Sequence, residues 1–347
     1  MKHTMVVCTE TVDDDENRTR HSMDSVLYDN LVSPVTMAFL LGIFATLIRS
    51  DLEIPEPVIR IFSIFLLFSI GLQGGHELSG VDIRAISTGL LITALMILML
   101  PLAAFLVARY LVRLSIVDAT GVAALYGSVS TVTFVVARSY GEAAGTPMEG
   151  YITGLVALLE LAIFVALFYG RMALRWSDSS SKKPLTAILM ETLRGRGLLL
   201  LSGGLVIGAL SSDANFAKIE PFYVGLFRGV LVLFLLEMGM TAGRHLKTFS
   251  SVGIKMLVFG IAMPLVNGFM VTGIASAAGL PFGSVFVLGV VAASASYIDA
   301  PAAVRTTFPE ANSSIYLTSS LGITFPFMLL AGIPLVYQMT AFWYSLL

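Results

Sequence analysis

Ile70-Gly71-Leu72-Gln73-Gly74-Gly75-His76-Glu77-Leu78 and Met238-Gly239-Met240-Thr241-Ala242-Gly243-Arg244-His245-Leu246 are two versions of one segment. Each ends a dense apolar run, and each run is entered through a proline-bearing stretch: Ile54-Pro55-Glu56-Pro57 in one case, Ile219-Glu220-Pro221-Phe222 in the other. Further on, Gly127-Ser128-Val129-Ser130 answers Ala293-Ser294-Ala295-Ser296, and Tyr140-Gly141-Glu142-Ala143 answers Phe308-Pro309-Glu310-Ala311. The pairs keep their order at a nearly constant offset, which marks an internal repeat.

Around these anchors, apolar stretches fall at about 34–49, 57–75, 85–109, 119–139 and 150–170, then at about 196–212, 222–243, 254–279, 282–305 and 314–340. A hydrocarbon core about 30 Å thick takes about 20 apolar helical residues to cross, so these stretches read as about ten transmembrane helices. Backbone amides in lipid must be satisfied within the segment, which favours helices; a barrel would alternate apolar and polar residues, and here the apolar runs are continuous. Each repeat then holds five crossings, and an odd number forces the second copy into the opposite orientation. The expected fold is an all-α polytopic membrane protein built from two inverted five-helix repeats with two broken, crossing helices. Its parts are a polar N-terminal tail (1–33), a first repeat (34–170), a linker (171–195) and a second repeat (196–347). Inverted repeats are a recurring plan of secondary transporters, with the site at the midplane where the copies meet.

Composition agrees. Mean hydropathy is +0.86; 56% of the 347 residues are hydrophobic and only 13% charged, about half the charged share of a soluble domain. The net charge of −2 suggests neither nucleic acid nor an anionic lipid surface as a partner. Cys8 is the single cysteine, so no intrachain disulfide forms, and His3, His21, His76 and His245 show no metal-ligand spacing. Met1 to Asn30 is polar, with the acidic run Asp13-Asp14-Asp15-Glu16 and no apolar core of a signal peptide. Met23 opens a tidier start, so residues 1–22 read as an extension. No Walker A, G-x-S-x-G or H-E-x-x-H motif occurs: the chain does not read as an enzyme or an ATP-driven pump, and transport would run on a gradient. Lys and Arg concentrate in alternate loops, most densely in the linker with Arg171, Arg175, Lys182, Lys183, Arg194 and Arg196. The positive-inside rule then puts the linker in the cytoplasm and both termini outside, in a cell inner membrane.

The fourth and ninth spans carry the chemistry. Gly127-Ser128-Val129-Ser130-Thr131-Val132-Thr133 sets four hydroxyls behind a glycine, and its counterpart Ala293-Ser294-Ala295-Ser296-Tyr297-Ile298-Asp299-Ala300-Pro301 adds a carboxylate and a proline. Gly and Pro interrupt the helical hydrogen-bond ladder, and short hydroxyls cap the freed amides or coordinate ions. Two half-helix N-termini facing one another make a positive cradle for a small anion. Freed carbonyls, hydroxyls and a carboxylate suit Na⁺. The rival reading is that small residues simply let helices pack closely. Asp299 and Glu160 are the deepest acidic residues, and intramembrane carboxylates usually face a cavity or a partner; each also has a structural alternative, Asp299 paired with Arg305 and Glu160 protonated. Glu237, Arg60 and Arg228 read as structural or snorkelling groups, and His76 and His245 as loop residues at span ends.

With these residues in view, the chain resembles the sodium-dependent bicarbonate transporter family (SbtA type) over about Ser33 to Gln338. The likeness shows in Ser33-Pro34 with Ala38-Phe39-Leu40, in Ile54-Pro55-Glu56 with Gly71-Leu72 and Gly74-Gly75, and in Leu226-Phe227-Arg228-Gly229 with Met238-Gly239-Met240. Gly127 to Ala137 resembles the family's first hydroxyl-rich broken helix, and Ala292 to Ser296 with Pro301 and Arg305 the second. The resemblance implies a core and a gate domain, elevator-like motion, a homotrimer in the lipid bilayer, a PII-like regulator at the cytoplasmic face, and Na⁺-coupled bicarbonate import. Carried over by position, it points to Ser128, Ser130, Thr131, Ser294 and Ser296 at the anion and Thr133 at sodium. Glu160 falls where the family has an aspartate. Tyr297 stands where the family has an acidic residue, so Tyr297 joins the expected anion site and the nearest carboxylate, Asp299, joins Glu160 at sodium. Alternative readings are a symporter of another small organic anion and a non-transporting receptor or scaffold of the same fold.

Overall fold

The computed structural model describes residues 32–79, 83–177, 196–246, 249–297 and 299–347, and every regular element among them is a helix. The first half comprises α1 (Pro34–Leu47), α2 (Glu56–Ser79), α3 (Ile83–Leu106), α4 (Ile116–Gly127), α5 (Thr131–Ala143), α6 (Ile152–Leu158) and α7 (Ala162–Ser177). The second comprises α8 (Arg196–Leu210), α9 (Asp213–Glu220), α10 (Phe227–Leu246), α11 (Phe249–Ala277), α12 (Phe282–Ala292), α13 (Asp299–Thr307), α14 (Ser313–Leu317), α15 (Phe325–Phe327) and α16 (Ile333–Leu346). Seven continuous helical stretches among the described residues are long and apolar enough to cross a membrane, and Pro34–Leu47, Leu199–Leu210 and Phe282–Ala292 are shorter apolar helices. The chain is therefore a polytopic helical membrane protein. The expected tail, with Cys8 and Met23, lies outside the described residues. So does most of the linker: α7 runs through Arg171 and Arg175 to Ser177, past the expected linker start, and residues 178–195 are not described.

Local chemistry sets the ends of these elements. Ser33 caps α1 by accepting the Thr36 amide at 3.3 Å, with Pro34 at the first position, where its missing N–H costs nothing. Ser115 caps α4 through the Asp118 amide at 3.0 Å, after Arg113 turns the chain with a left-handed φ of 70°. Gly253 (φ 77°) interrupts α11, so its membrane-length part is Gly253–Ala277. His76, expected in a loop, instead lies in the last turn of α2 and stacks on Phe216 at 4.0 Å. The helix continues past Gly75 through His76-Glu77-Leu78-Ser79, which holds no proline to stop it.

The helices fall into two packed groups. In one, α1 lies along α10 and α2 along α8. The contacts are close because glycines meet: a Cβ on Gly239 would strike the Phe39 carbonyl and come within 3.1 Å of the Gly42 Cα, and a Cβ on Gly71 would lie 3.1 Å from the Gly204 Cα. Gly71 and Gly239 occupy matching places in the two similar sequence segments, and each packs its helix on one from the other half of the chain. In lipid, helices associate chiefly by packing and hydrogen bonding, because lipid tails are as apolar as leucine; backbone-to-backbone approach is what glycine supplies. The second group gathers the remaining long helices around α4, α5, α12 and α13. There α4 packs on α13 and α5 on α12, again an exchange between the halves.

Candidate functional site

Two interruptions meet in the middle of the second group. The chain leaves α4 at Gly127, passes through extended Ser128 (φ −92°, ψ −176°) and restarts as α5 with Ser130 as N-cap. Gly127 is where α3 presses closest: a Cβ there would lie 2.5 Å from the Pro101 side chain. The second interruption separates Ala292, the end of α12, from Asp299, the start of α13. Helix ends leave their first N–H and last C=O groups without intrahelical partners, and here the two breaks satisfy one another. The Ser130 amide donates to Ser294 Oγ at 3.0 Å. The Ser296 amide donates to the Leu125 carbonyl at 2.8 Å.

The hydroxyls settle the remaining groups. Ser130 Oγ accepts the Thr133 amide at 3.2 Å and the Thr133 hydroxyl at 2.9 Å. Ser294 Oγ donates to the Val291 carbonyl at 2.7 Å, and Ser296 Oγ accepts the Ala300 amide at 3.4 Å in the first turn of α13. Ser128, Ser130, Thr133, Ser294 and Ser296 are all buried, while Thr131, first residue of α5, is half-buried. Tyr297 is buried near Ser130, with its ring against Phe325 at 4.9 Å; Phe325 in turn meets Phe39 of α1 edge-on at 4.9 Å. The aromatic stack therefore runs from the second break to the other helix group.

Glu160 reaches the same place from a different element. A 3₁₀ turn at Leu159–Leu161 separates α6 from α7 and presents its side chain, 5% exposed, to the first break. Ser128 Oγ donates to Glu160 Oε2 at 2.8 Å. A carboxylate in so apolar a setting costs several kcal/mol unless charge and hydrogen bonds compensate it. Hydroxyls and carboxylate oxygens are the hard ligands a sodium ion prefers, so the donor set around Ser128 and Glu160 fits such a cation. Asp299 opens α13, but its side chain lies outside the described residues.

Several polar groups beside the breaks were not singled out from the sequence. Tyr126, next to Gly127, bonds through its hydroxyl to Ser319 and, at 2.7 Å, to Thr324. Thr324 in turn donates to the Gly260 carbonyl at 2.6 Å. Both partners sit in a π-helical stretch, Thr318–Thr324, as Glu160 sits in a 3₁₀ turn. Such departures from α-helix often mark functional positions. The dense run Thr318-Ser319-Ser320 was the available signal. Of the charged residues outside the breaks, Glu237 is buried against Arg244 at 2.6 Å, and Arg228 pairs with Glu142 at 3.2 Å.

A protein-family model described as the Na⁺-dependent bicarbonate transporter superfamily matches residues 34–341 of the chain. No curated protein matches it.

Proposed function

The chain belongs to the Na⁺-dependent bicarbonate transporter superfamily, and from that premise we propose that it is a secondary transporter coupling inward Na⁺ movement to the import of a small anion, bicarbonate first. The observation that carries this reading is the joining of two helix breaks, one from each half, by the Ser130 amide to Ser294 Oγ and the Ser296 amide to the Leu125 carbonyl. N-terminal helix turns pointing into one buried, hydroxyl-lined place supply positive dipole ends, which favour an anion without a formal positive charge. Ser128, Ser130, Thr131, Ser294, Ser296 and Tyr297 are the anion's residues in this reading. Thr133, Glu160 and Asp299 serve the sodium ion, whose charge offsets both the buried Glu160 and the incoming anion, so that binding of one cargo favours binding of the other.

The exchanged helix pairs support two inverted five-helix repeats. The division into two groups supports an elevator-like movement, in which the group holding the breaks slides against α1, α2, α8 and α10. The family resemblance further supports a homotrimer and a PII-like regulator at the cytoplasmic face. The density of Lys and Arg in the linker supports an inner-membrane topology with the linker inside and the termini outside. The decisive experiment is uptake of labelled bicarbonate into proteoliposomes of purified protein with and without an inward Na⁺ gradient. Accumulation that requires the gradient is expected. Folded, inserted protein that accumulates nothing under either condition would overturn the reading, and competition by small carboxylates would identify another anion as the cargo.

A further inference from the structure

Outside the broken-helix site, a partly open space with charged walls has no role in the reading above. A cavity of about 110 Å³ lies between the two helix groups, lined from one side by Gln73 and Arg228 and from the other by Arg138, Glu142 and Thr153, with Phe134 on its wall. Arg138 Nε donates to Glu142 Oε1 at 3.0 Å, and Arg228 donates to Glu142 Oε2 at 3.2 Å. Glu77, which does not line the space, faces Arg138 at 3.8 Å. The lining itself thus sets two guanidinium groups against one carboxylate. Each guanidinium carries five N–H donors in a planar fork, and Glu142 accepts one from each. Arg228 stays 71% exposed and Arg138 33%, so donors remain open to an anion arriving from water. The Thr153 hydroxyl is buried beside the Glu77 carboxyl.

The position of this space is as telling as its charge. Arg138 stands seven residues after Thr131 on α5, about 10 Å along the axis at 1.5 Å per residue, and Phe134 is one turn from Ser130. The same helix therefore has the proposed anion site at its N-terminus and the arginine-lined cavity on its flank. Resting on the proposed function, we propose that Arg138 and Arg228 form a capture subsite for a small planar oxyanion, such as bicarbonate or a short carboxylate, which holds the anion before it passes Phe134 to the broken helices. Glu142 fixes the two guanidiniums and competes with the anion for them. A planar fork matches the two oxygens of such an anion, and a positive cleft with apolar walls raises the local anion concentration.

The test is the bicarbonate dependence of Na⁺-driven uptake in proteoliposomes for the parent, Arg138→Gln, Arg228→Gln, Arg228→Lys and Glu142→Gln. Each Arg→Gln variant is expected to raise KM about three- to ten-fold while the maximal rate stays within about two-fold. Arg228→Lys, which keeps the charge but not the planar fork, should recover only part of the loss, and Glu142→Gln should lower KM by freeing both guanidiniums. The differences should shrink in concentrated choline salt, as screening requires. A purely structural ion pair predicts the opposite pattern, with Glu142→Gln and the arginine variants all losing stability together. An unchanged KM in both Arg→Gln variants, or a raised KM in Glu142→Gln, overturns the subsite. If the parent takes up no bicarbonate, the proposed function fails first. The subsite is then judged by the melting temperature of detergent-purified protein with added bicarbonate or acetate: a rise lost in Arg228→Gln supports it, and an equal rise or none in both proteins overturns it.

Discussion

A serine hydroxyl 2.8 Å from a buried glutamate is a small feature with large consequences for ion binding. Hydrogen bonds to charged groups are worth about 1.5–3 kcal/mol, and 1.4 kcal/mol is a factor of ten in an equilibrium constant. Because this anion-site serine also orients the sodium residue Glu160, Ser128→Ala is expected to raise the Na⁺ concentration for half-maximal uptake by about ten- to a hundred-fold, while the fold survives because the serine side chain is small. Glu160→Gln goes further and should abolish Na⁺ dependence. The checks are the Na⁺ titration of uptake and the Na⁺-induced rise in melting temperature, which should vanish in Glu160→Gln. Retention of the parent's Na⁺ titration in both variants would remove Glu160 from the sodium site. Ser130 and Ser296 act differently, each capping the helix that follows it. Ser130→Ala and Ser296→Ala should raise the anion concentration for half-maximal uptake, and loss of a cap also costs about 0.5–2 kcal/mol of stability.

Elements meet in this protein through their glycines. A methyl on Gly239 would run into the Phe39 carbonyl, whereas Gly229, ten residues earlier on the same helix α10, has nothing within 4 Å of its would-be Cβ. The two positions form a matched pair. Gly229→Ala should be neutral or stabilising, since alanine is favoured over glycine inside a helix by up to about 1 kcal/mol. Gly239→Ala should separate α10 from α1 at a cost of about 1–3 kcal/mol, seen as a lower melting temperature in detergent. Equal melting temperatures for the two variants would mean that α1 and α10 do not pack this closely. Gly127 tests a different junction: an added methyl there meets Pro101 and should impair uptake more than stability, because it displaces the break rather than a helix interior.

For the molecule as a whole, the question is whether the two helix groups move against one another. Glu77 lies on α2 in one group and Gly150 just before α6 in the other, and a Cβ on Gly150 would sit 3.4 Å from the Glu77 side chain. Oxidation of Glu77→Cys/Gly150→Cys in a Cys8→Ser background is expected to stop uptake, and reduction to restore it. Thr46→Cys/Gly243→Cys joins α1 to α10 within a single group, where a Cβ on Gly243 would lie 2.9 Å from Thr46 Cβ. That bond should leave uptake nearly intact. Full uptake across the first bond would exclude an elevator-like movement at this junction.

The membrane character, the helical class and the places where helices break could be read from one dimension, because each depends on neighbours in the chain. A run of apolar residues fits a bilayer or does not, and Gly127-Ser128-Val129-Ser130 weakens its own helix wherever it lies. Family membership followed from the same local words. Pairings across long separations could not be read this way. Ser128 finds Glu160 across 32 residues, through a 3₁₀ turn that no glycine or proline announces. Ser130 finds Ser294 across 164, and Tyr126 finds Thr324 across 198. Arg138 and Arg228 share a carboxylate only because α5 and α10 come together. Sequence alone determined which residues are costly to leave in lipid; only the packing of the helices decided which partner lowers that cost, because a buried charge or an orphaned amide takes whichever complement the tertiary fold brings within about 3 Å.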